Sequence, residues 1–226
     1  AKTAFQNNYN ITKKEAKRTF QDNLAIKNPV QFIYQYLNSD TINKAIKINP
    51  EIKRIIENNK LNINYNIENV SSIIASHLIP TSRMVQKIYR SIGYSELNEN
   101  FFILIQAALL HDIGKIFIPK EIINKKGKLN FKEKEIMKLH NKLSYEILKT
   151  TNLNPKVAQL AYEHHDYNKK VKRNDENQTL TLADIYCALR EKRPYKKAIN
   201  DFSAKIILYD MATKGQFDVS YIKHVF

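Results

Sequence analysis

The chain has 226 residues, with 37 Lys and Arg against 22 Asp and Glu and a formal net charge of +15. Hydrophobic residues make up 43% and charged residues 26%, which supplies a core and excludes a disordered polyelectrolyte. Only 4 Gly and 6 Pro punctuate this length, arguing against turn-rich sandwiches, barrels and glycine-rich nucleotide folds and for an all-α protein.

The single cysteine, Cys187, leaves no internal disulfide framework and favours a cytosolic setting. Its surroundings, Ile185-Tyr186-Cys187-Ala188-Leu189, read as core. No run reaches the roughly 18 consecutive apolar residues of a membrane span, so Phe101 to Leu110 is expected as a core helix and no membrane contact is expected in this segment. The basic excess could attract phosphate-rich ligands. Lys, Asn and Ile crowd the whole chain, however, and no helix-turn-helix, zinc finger or aromatic-interleaved basic stripe appears, so no nucleic-acid partner is expected.

In chain order, residues 1–68 read as a small N-terminal helical segment. Asn28-Pro29 and Asn49-Pro50 each place a capping side chain before a proline that a first helical turn accepts. The segment has no histidine and reads as an appendage, with a homodimer contact or a signalling partner as the alternative. The polar stretch from Asn58 to Asn66 sets the boundary of a second domain at 69–226.

There, Val70, Ile73, Ile74 and His77 follow helical spacing, and the pattern resumes from Thr81 to Ile92 after Pro80, which should kink the helix before Gly93 ends it. Glu99 or Asn100 opens a helix that is apolar on every side to Leu110 and runs into His111-Asp112-Ile113-Gly114-Lys115. Further helices are predicted over 131–149, 155–165, 180–190, 197–212 and 219–224, with Asn154-Pro155 and Asp218 as caps. The segment from Asn168 to Gln178, with Lys169, Lys170, Lys172 and Arg173, reads as a solvated charged loop.

The chemistry lies in the histidines. Five of the six, His77, His111, His140, His164 and His165, fall on apolar helix faces, and Asp112 and Asp184 also sit in apolar surroundings. Buried carboxylates are costly unless paired or ligated. A metal site satisfies all seven groups together. Nitrogen and carboxylate donors without a thiolate suit iron, manganese, zinc or cobalt better than a closed structural zinc site. Seven ligands are too many for one tetrahedral ion but can hold two ions if Asp112 bridges them.

The run His111-Asp112-Ile113-Gly114-Lys115 to Leu129, followed by His140, His164-His165, Ala183-Asp184 and Arg193-Pro194-Tyr195, closely resembles the HD-GYP branch of the HD phosphohydrolase superfamily. The resemblance covers residues 70–226 and implies an HD-domain helical bundle. It assigns His77, His111, Asp112 and Asp184 to one metal, and Asp112, His140, His164 and His165 to the other. Iron or manganese come first, with zinc, cobalt or nickel as alternatives. Lys115 matches a lysine that contacts the phosphate beside the metals, making Asp112 and Lys115 the expected catalytic pair. Arg193 and Lys196 match positions that bind the phosphate or base of a cyclic dinucleotide.

The implied reaction is hydrolysis of cyclic di-GMP to pGpG or GMP, with the mixed GMP-AMP ring cleaved by some members. After His164-His165 the family continues through a Gly-Tyr-Pro loop, whereas this chain reads Asp166-Tyr167-Asn168-Lys169-Lys170. Tyr167 is the one candidate to stand in for the missing tyrosine. Trinuclear members carry an acidic residue where this chain has Ile73, so two metals are expected. The alternatives are an HD phosphohydrolase for another nucleotide, or a degenerate domain that binds a cyclic dinucleotide or a protein partner.

Overall fold

The computed structural model describes residues 25–96, 98–166, 173–191 and 198–226. Helices α1 (Pro29–Tyr36), α2 (Ser39–Ile48) and α3 (Pro50–Asn58) lead into a short α4 (Glu68–Ser71), a π-helical turn over Ile74–Leu78 and α5 (Ile79–Ser91). Then come α6 (Glu99–Leu110), a 3-10 turn over Ile113–Phe117 and the short α7 (Lys120–Ile123). Helices α8 (Phe131–Leu148), α9 (Pro155–Glu163), α10 (Asp175–Arg190) and α11 (Asp201–Thr213) follow, with a closing 3-10 turn over Val219–His224. No strand occurs among the described residues, and the all-α expectation holds.

Asparagine starts most of these helices. The side chains of Asn28, Asn49 and Asn154 each accept a backbone N–H from the first turn, with proline at the next position. Asn38, Asn98, Asn130, Asn174 and Asn200 cap five more helices, and Asn130 forms a full capping box with Glu133. Asp218 caps the closing turn through Ser220 N. The abundance of Asn therefore has a structural use that composition alone does not reveal.

The apolar helix α6 is the axis of the bundle, with Phe101 and every residue from Ile103 to Leu110 buried. Helices α5, α9 and α10 pack around it, and α1 reaches it from the N-terminal side. The stretch from Glu99 to Phe117 has the length and composition of a membrane span, yet 83% of its apolar window is buried inside the protein. Helices α2 and α3 lie against α8, where Asn49 Nδ2 donates to the Glu146 carbonyl at 3.0 Å and to its carboxylate at 2.7 Å. The buried hydrophobics from Ala25 to Val225 form one continuous cluster. Cys187 belongs to the buried set as expected, and burial pushes its thiol up to about 12.

Three details differ from the sequence expectation. Around Pro80 the helix changes type: a π turn runs directly into α5, with Leu78 N donating to Ile73 O at 3.1 Å, and Pro80 sits in the first turn of α5, where its missing N–H costs little. Helix α10 begins at Asp175, not 180, because its polar first turn has partners. Tyr94 and Tyr221 donate to Asp175 at 2.7 and 2.5 Å, and Lys156 donates to Glu176 at 3.1 Å. Arg173 is not solvated; its guanidinium turns inward onto the carbonyls of Glu163 and Gln216 at 2.9 and 2.8 Å.

One close approach sets the position of the His111-Asp112 corner. A Cβ on Gly114 would lie 2.3 Å from the His140 carbonyl oxygen, 2.6 Å from Ser144 N and 2.9 Å from Leu143 Cβ. Glycine lets the 3-10 turn lie directly on α8. Gly114 N donates to Ser144 Oγ at 2.9 Å, and Ser144 Oγ donates to the His111 carbonyl at 2.6 Å. Because the two nearest obstructing atoms are backbone, Gly114→Ala is expected to cost about 3 kcal/mol. A melting curve should show the loss at roughly 2–4 °C per kcal/mol, and an unchanged midpoint would contradict the packing argument.

Candidate metal centre

Five elements deliver the seven predicted ligands to one place. His77 comes from the π turn, His111 and Asp112 follow the end of α6, His140 lies in α8, His164 and His165 follow α9, and Asp184 lies in α10. Six of the seven are buried. His165 stands at the open edge with 37% of its side chain exposed.

The histidine orientations have a shared local cause. Nδ1 of His111, His140 and His164 faces the carbonyl three residues earlier, Ala108, Met137 and Ala161, at 2.9, 2.5 and 2.8 Å. A carbonyl can only accept, so a proton sits on each Nδ1, and the Nε2 lone pairs of His140 and His164 point into the cluster. Such backbone contacts fix ring angle and tautomer in metal-binding histidines.

These inward atoms meet at short range. Nε2 of His140 and Nε2 of His164 are 3.5 Å apart, and His140 Nε2 lies 3.2 Å from Asp112 Oδ1. On the other side, His111 Nε2 is 3.4 Å from Asp112 Oδ2 and 3.6 Å from Asp184 Oδ1. His77 Nε2 is 2.9 Å from Asp184 Oδ1 and 3.7 Å from Asp112 Oδ2, and His165 Nδ1 is 3.8 Å from Asp184 Oδ2. His111 Nε2 and Asp112 Oδ1 are buried without a hydrogen-bond partner. Facing acceptors in a dry site repel unless a cation lies among them.

Three overlapping sets have one donor atom per residue within 4.8 Å of the others: His77, His111 and Asp184; His140, His164 and His165; and His111, Asp112 and His164. The first two share no residue. Asp112 lies between them, with Oδ2 toward His77 and His111 and Oδ1 toward His140. Nitrogen and carboxylate donors with unpartnered buried atoms fit divalent first-row cations.

Electrostatics describe the same demand for positive charge. Burial pushes the His111 imidazole down, but Asp112 and Asp184 outweigh it and bring it up to about 10. Burial pushes both carboxylates up, yet Lys115 and His111 hold Asp112 well below its usual range, and His111 and His77 do the same for Asp184. Burial and neighbouring imidazoles hold His164 well below its ordinary value, and burial brings His165 down to about 4. A proton on His111 and the Lys115 ammonium, 2.5 Å from Asp112 Oδ2, supply the cluster's positive charge, while His164 and His165 stay neutral, the form that ligates.

The sequence does not single out the side chains that brace this corner. Ser144 joins α8 to the His111 carbonyl, and buried Asn69 donates through Nδ2 to the carbonyls of Lys115 and Ile118 at 3.1 and 2.9 Å. Ser144 carries one readable signal, a hydroxyl four residues after His140 on an otherwise apolar stripe. Asn69 carries none. Arg193 and Lys196, and Tyr167 with them, lie outside the described residues. His224 pairs with Ser91 Oγ at 2.9 Å, outside the cluster.

A model of the HD domain matches residues 74–189, which contain all seven residues of the cluster. The chain is 34% identical over 139 residues to the cyclic di-GMP phosphodiesterase response regulator RpfG of Xanthomonas campestris, covering 57% of this chain and 36% of that protein. It is 30% identical to cyclic di-GMP phosphodiesterase PdeB of Borreliella burgdorferi, covering 73% and 43%, and 27% identical to 3'3'-cGAMP-specific phosphodiesterase 2 of Vibrio cholerae, covering 81% and 36%. The chain thus spans little more than a third of the first of these relatives, 36%. Among solved structures, the HD domain of the Listeria monocytogenes phosphodiesterase PgpH superposes with a TM-score of 0.51 at 18% identity, covering 71% of this chain and 94% of that one, and shares the fold. The resemblance read from His111-Asp112 and the later histidines holds, and the chain belongs to the HD-domain family.

Proposed function

We propose that this chain carries a metal-dependent phosphodiesterase that hydrolyses cyclic di-GMP to pGpG or GMP. The supporting observation is the meeting of unprotonated imidazole nitrogens and two carboxylates around Asp112, an arrangement that packing alone would penalise. His77, His111, Asp112 and Asp184 would hold one ion, and Asp112, His140, His164 and His165 the other, with iron or manganese the favoured metals. Bound divalent ions supply Lewis-acid polarisation of a phosphoryl oxygen and a more acidic water.

The remaining roles belong to the chain's own groups. Asp112 presents one oxygen to each half of the cluster. Lys115 has its ammonium on that carboxylate and 17% of its side chain exposed, so it can offset the charge that grows on the phosphoryl oxygens in the transition state. The burial of the other ligands excludes bulk water and strengthens each of these interactions. Hydrolysis adds water across one P–O3′ bond and leaves a 5′-phosphate and a 3′-hydroxyl. By resemblance, Arg193 and Lys196 hold phosphate or base. The mixed GMP-AMP ring is the second substrate reading, favoured by the 81% of this chain that aligns with a 3'3'-cGAMP-specific enzyme.

Anaerobically reconstituted protein is expected to hold two metal ions per chain by elemental analysis. Free metal at a hundred times its dissociation constant should add about 2.7 kcal/mol of stability per site, read as a higher melting temperature; zero bound metal would refute the site. With cyclic di-GMP and manganese or iron, chromatography should resolve linear pGpG from wild type and none from Asp112→Ala. Binding without product in the wild type would turn the reading into a receptor. Lys115→Ala should keep its metal and lose roughly a hundredfold in kcat, and a variant as fast as wild type would remove the lysine from the reaction.

A further inference from the structure

We infer that Arg173 and Thr181 are positioning residues for the His164-His165 pair, acting through the backbone that follows α9. The proposal rests on the two-ion reading above and concerns the half of the site formed by His140, His164 and His165.

Helix α9 ends at Glu163, immediately before its two histidines, and helix ends leave carbonyl groups without intrahelical partners. Two of those carbonyls receive side-chain donors. Arg173 Nη2 donates to Glu163 O at 2.9 Å, and Thr181 Oγ1 donates to His164 O at 2.9 Å. The two donors are themselves joined, because Arg173 Nη2 also donates to Thr181 Oγ1 at 2.9 Å. Arg173 Nη1 donates to Gln216 O at 2.8 Å and ties the arrangement to the C-terminal part of the fold.

The direction of the hydroxyl proton makes this a device rather than a set of contacts. A threonine inside a helix can turn its hydroxyl back onto the carbonyl four residues earlier. A guanidinium N–H donated into the Thr181 oxygen occupies a lone pair and leaves the hydroxyl proton for His164 O. Thr181 is fully buried and lies one turn before Asp184 on α10. The backbone of the histidine pair is therefore anchored to the same helix that carries a carboxylate of the cluster. Nδ1 of His164 is already held by Ala161 O of α9, so ring and backbone each have an anchor. His77 and His111 come from elements that carry neither Arg173 nor Thr181.

Metal titration followed by calorimetry and by the visible absorption of Co(II) tests the assignment without using turnover. Arg173→Ala and Thr181→Val should each weaken one of the two ions by roughly 10–100-fold, the usual effect of removing an outer-shell partner. The other ion should keep its affinity, and Thr181→Ser, which retains the hydroxyl, should restore both. Wild-type affinity for both ions in Thr181→Val would overturn the anchor, as would equal weakening of both ions with no recovery in Thr181→Ser. Thr181→Val removes only a hydroxyl at nearly constant volume, so it decides the matter should Arg173→Ala fail to fold. A wild type that binds fewer than two ions would instead sink the two-ion reading, and the anchor for the second ion with it.

Discussion

Imidazole nitrogens whose protons are committed elsewhere face one another and two carboxylates in a largely buried cluster. The surrounding structure is arranged to hold them there. The i−3 carbonyls of Ala108, Met137 and Ala161 lock the rings, so His140 and His164 cannot avoid each other by exchanging tautomers. The demand for a cation is thus set by backbone geometry rather than by side-chain choice alone. Without a metal, a proton on His111 and the ammonium of Lys115 take up part of that demand.

Holding such a cluster costs stability, and the design of the bundle offsets it. The site lies where α6 ends, beside the most apolar stretch of the chain, and the buried length of that helix carries the hydrophobic stabilisation that the polar groups lack. Helix α8 is pressed against the His111-Asp112 corner through Gly114 and Ser144, and it is braced from behind by Asn49 on Glu146. The N-terminal helices thereby support the helix that supplies His140, although they contribute no ligand.

The composition that first looks generic divides into separate uses. Asparagine caps helices throughout the described residues. Some lysines make exposed pairs, such as Lys120 with Glu68 and Lys138 with Glu135, and such pairs are worth little each. Other basic side chains turn inward, among them Lys115 onto the Asp112 carboxylate and Arg173 onto the Glu163 carbonyl at the end of α9. Both were indistinguishable by composition from their solvated neighbours.

The sequence alone determined the helical class, the Asn-Pro starts, the buried character of Phe101 to Leu110 and the identity of the seven cluster residues. Each of these is a local property: a cap needs only its next few residues, and a polar group on an apolar face is visible from periodicity. Tertiary structure decided what depends on distant partners. The π turn before Pro80 keeps His77 inward, the first turn of α10 is held by Tyr94, Tyr221 and Lys156, and Asn69 and Ser144 find carbonyls far along the chain. No spacing rule shows these, because a hydrogen bond between residues dozens of positions apart leaves no period in the sequence. The position of Asp112 between the two halves of the cluster likewise appears only once five separate elements are packed around it.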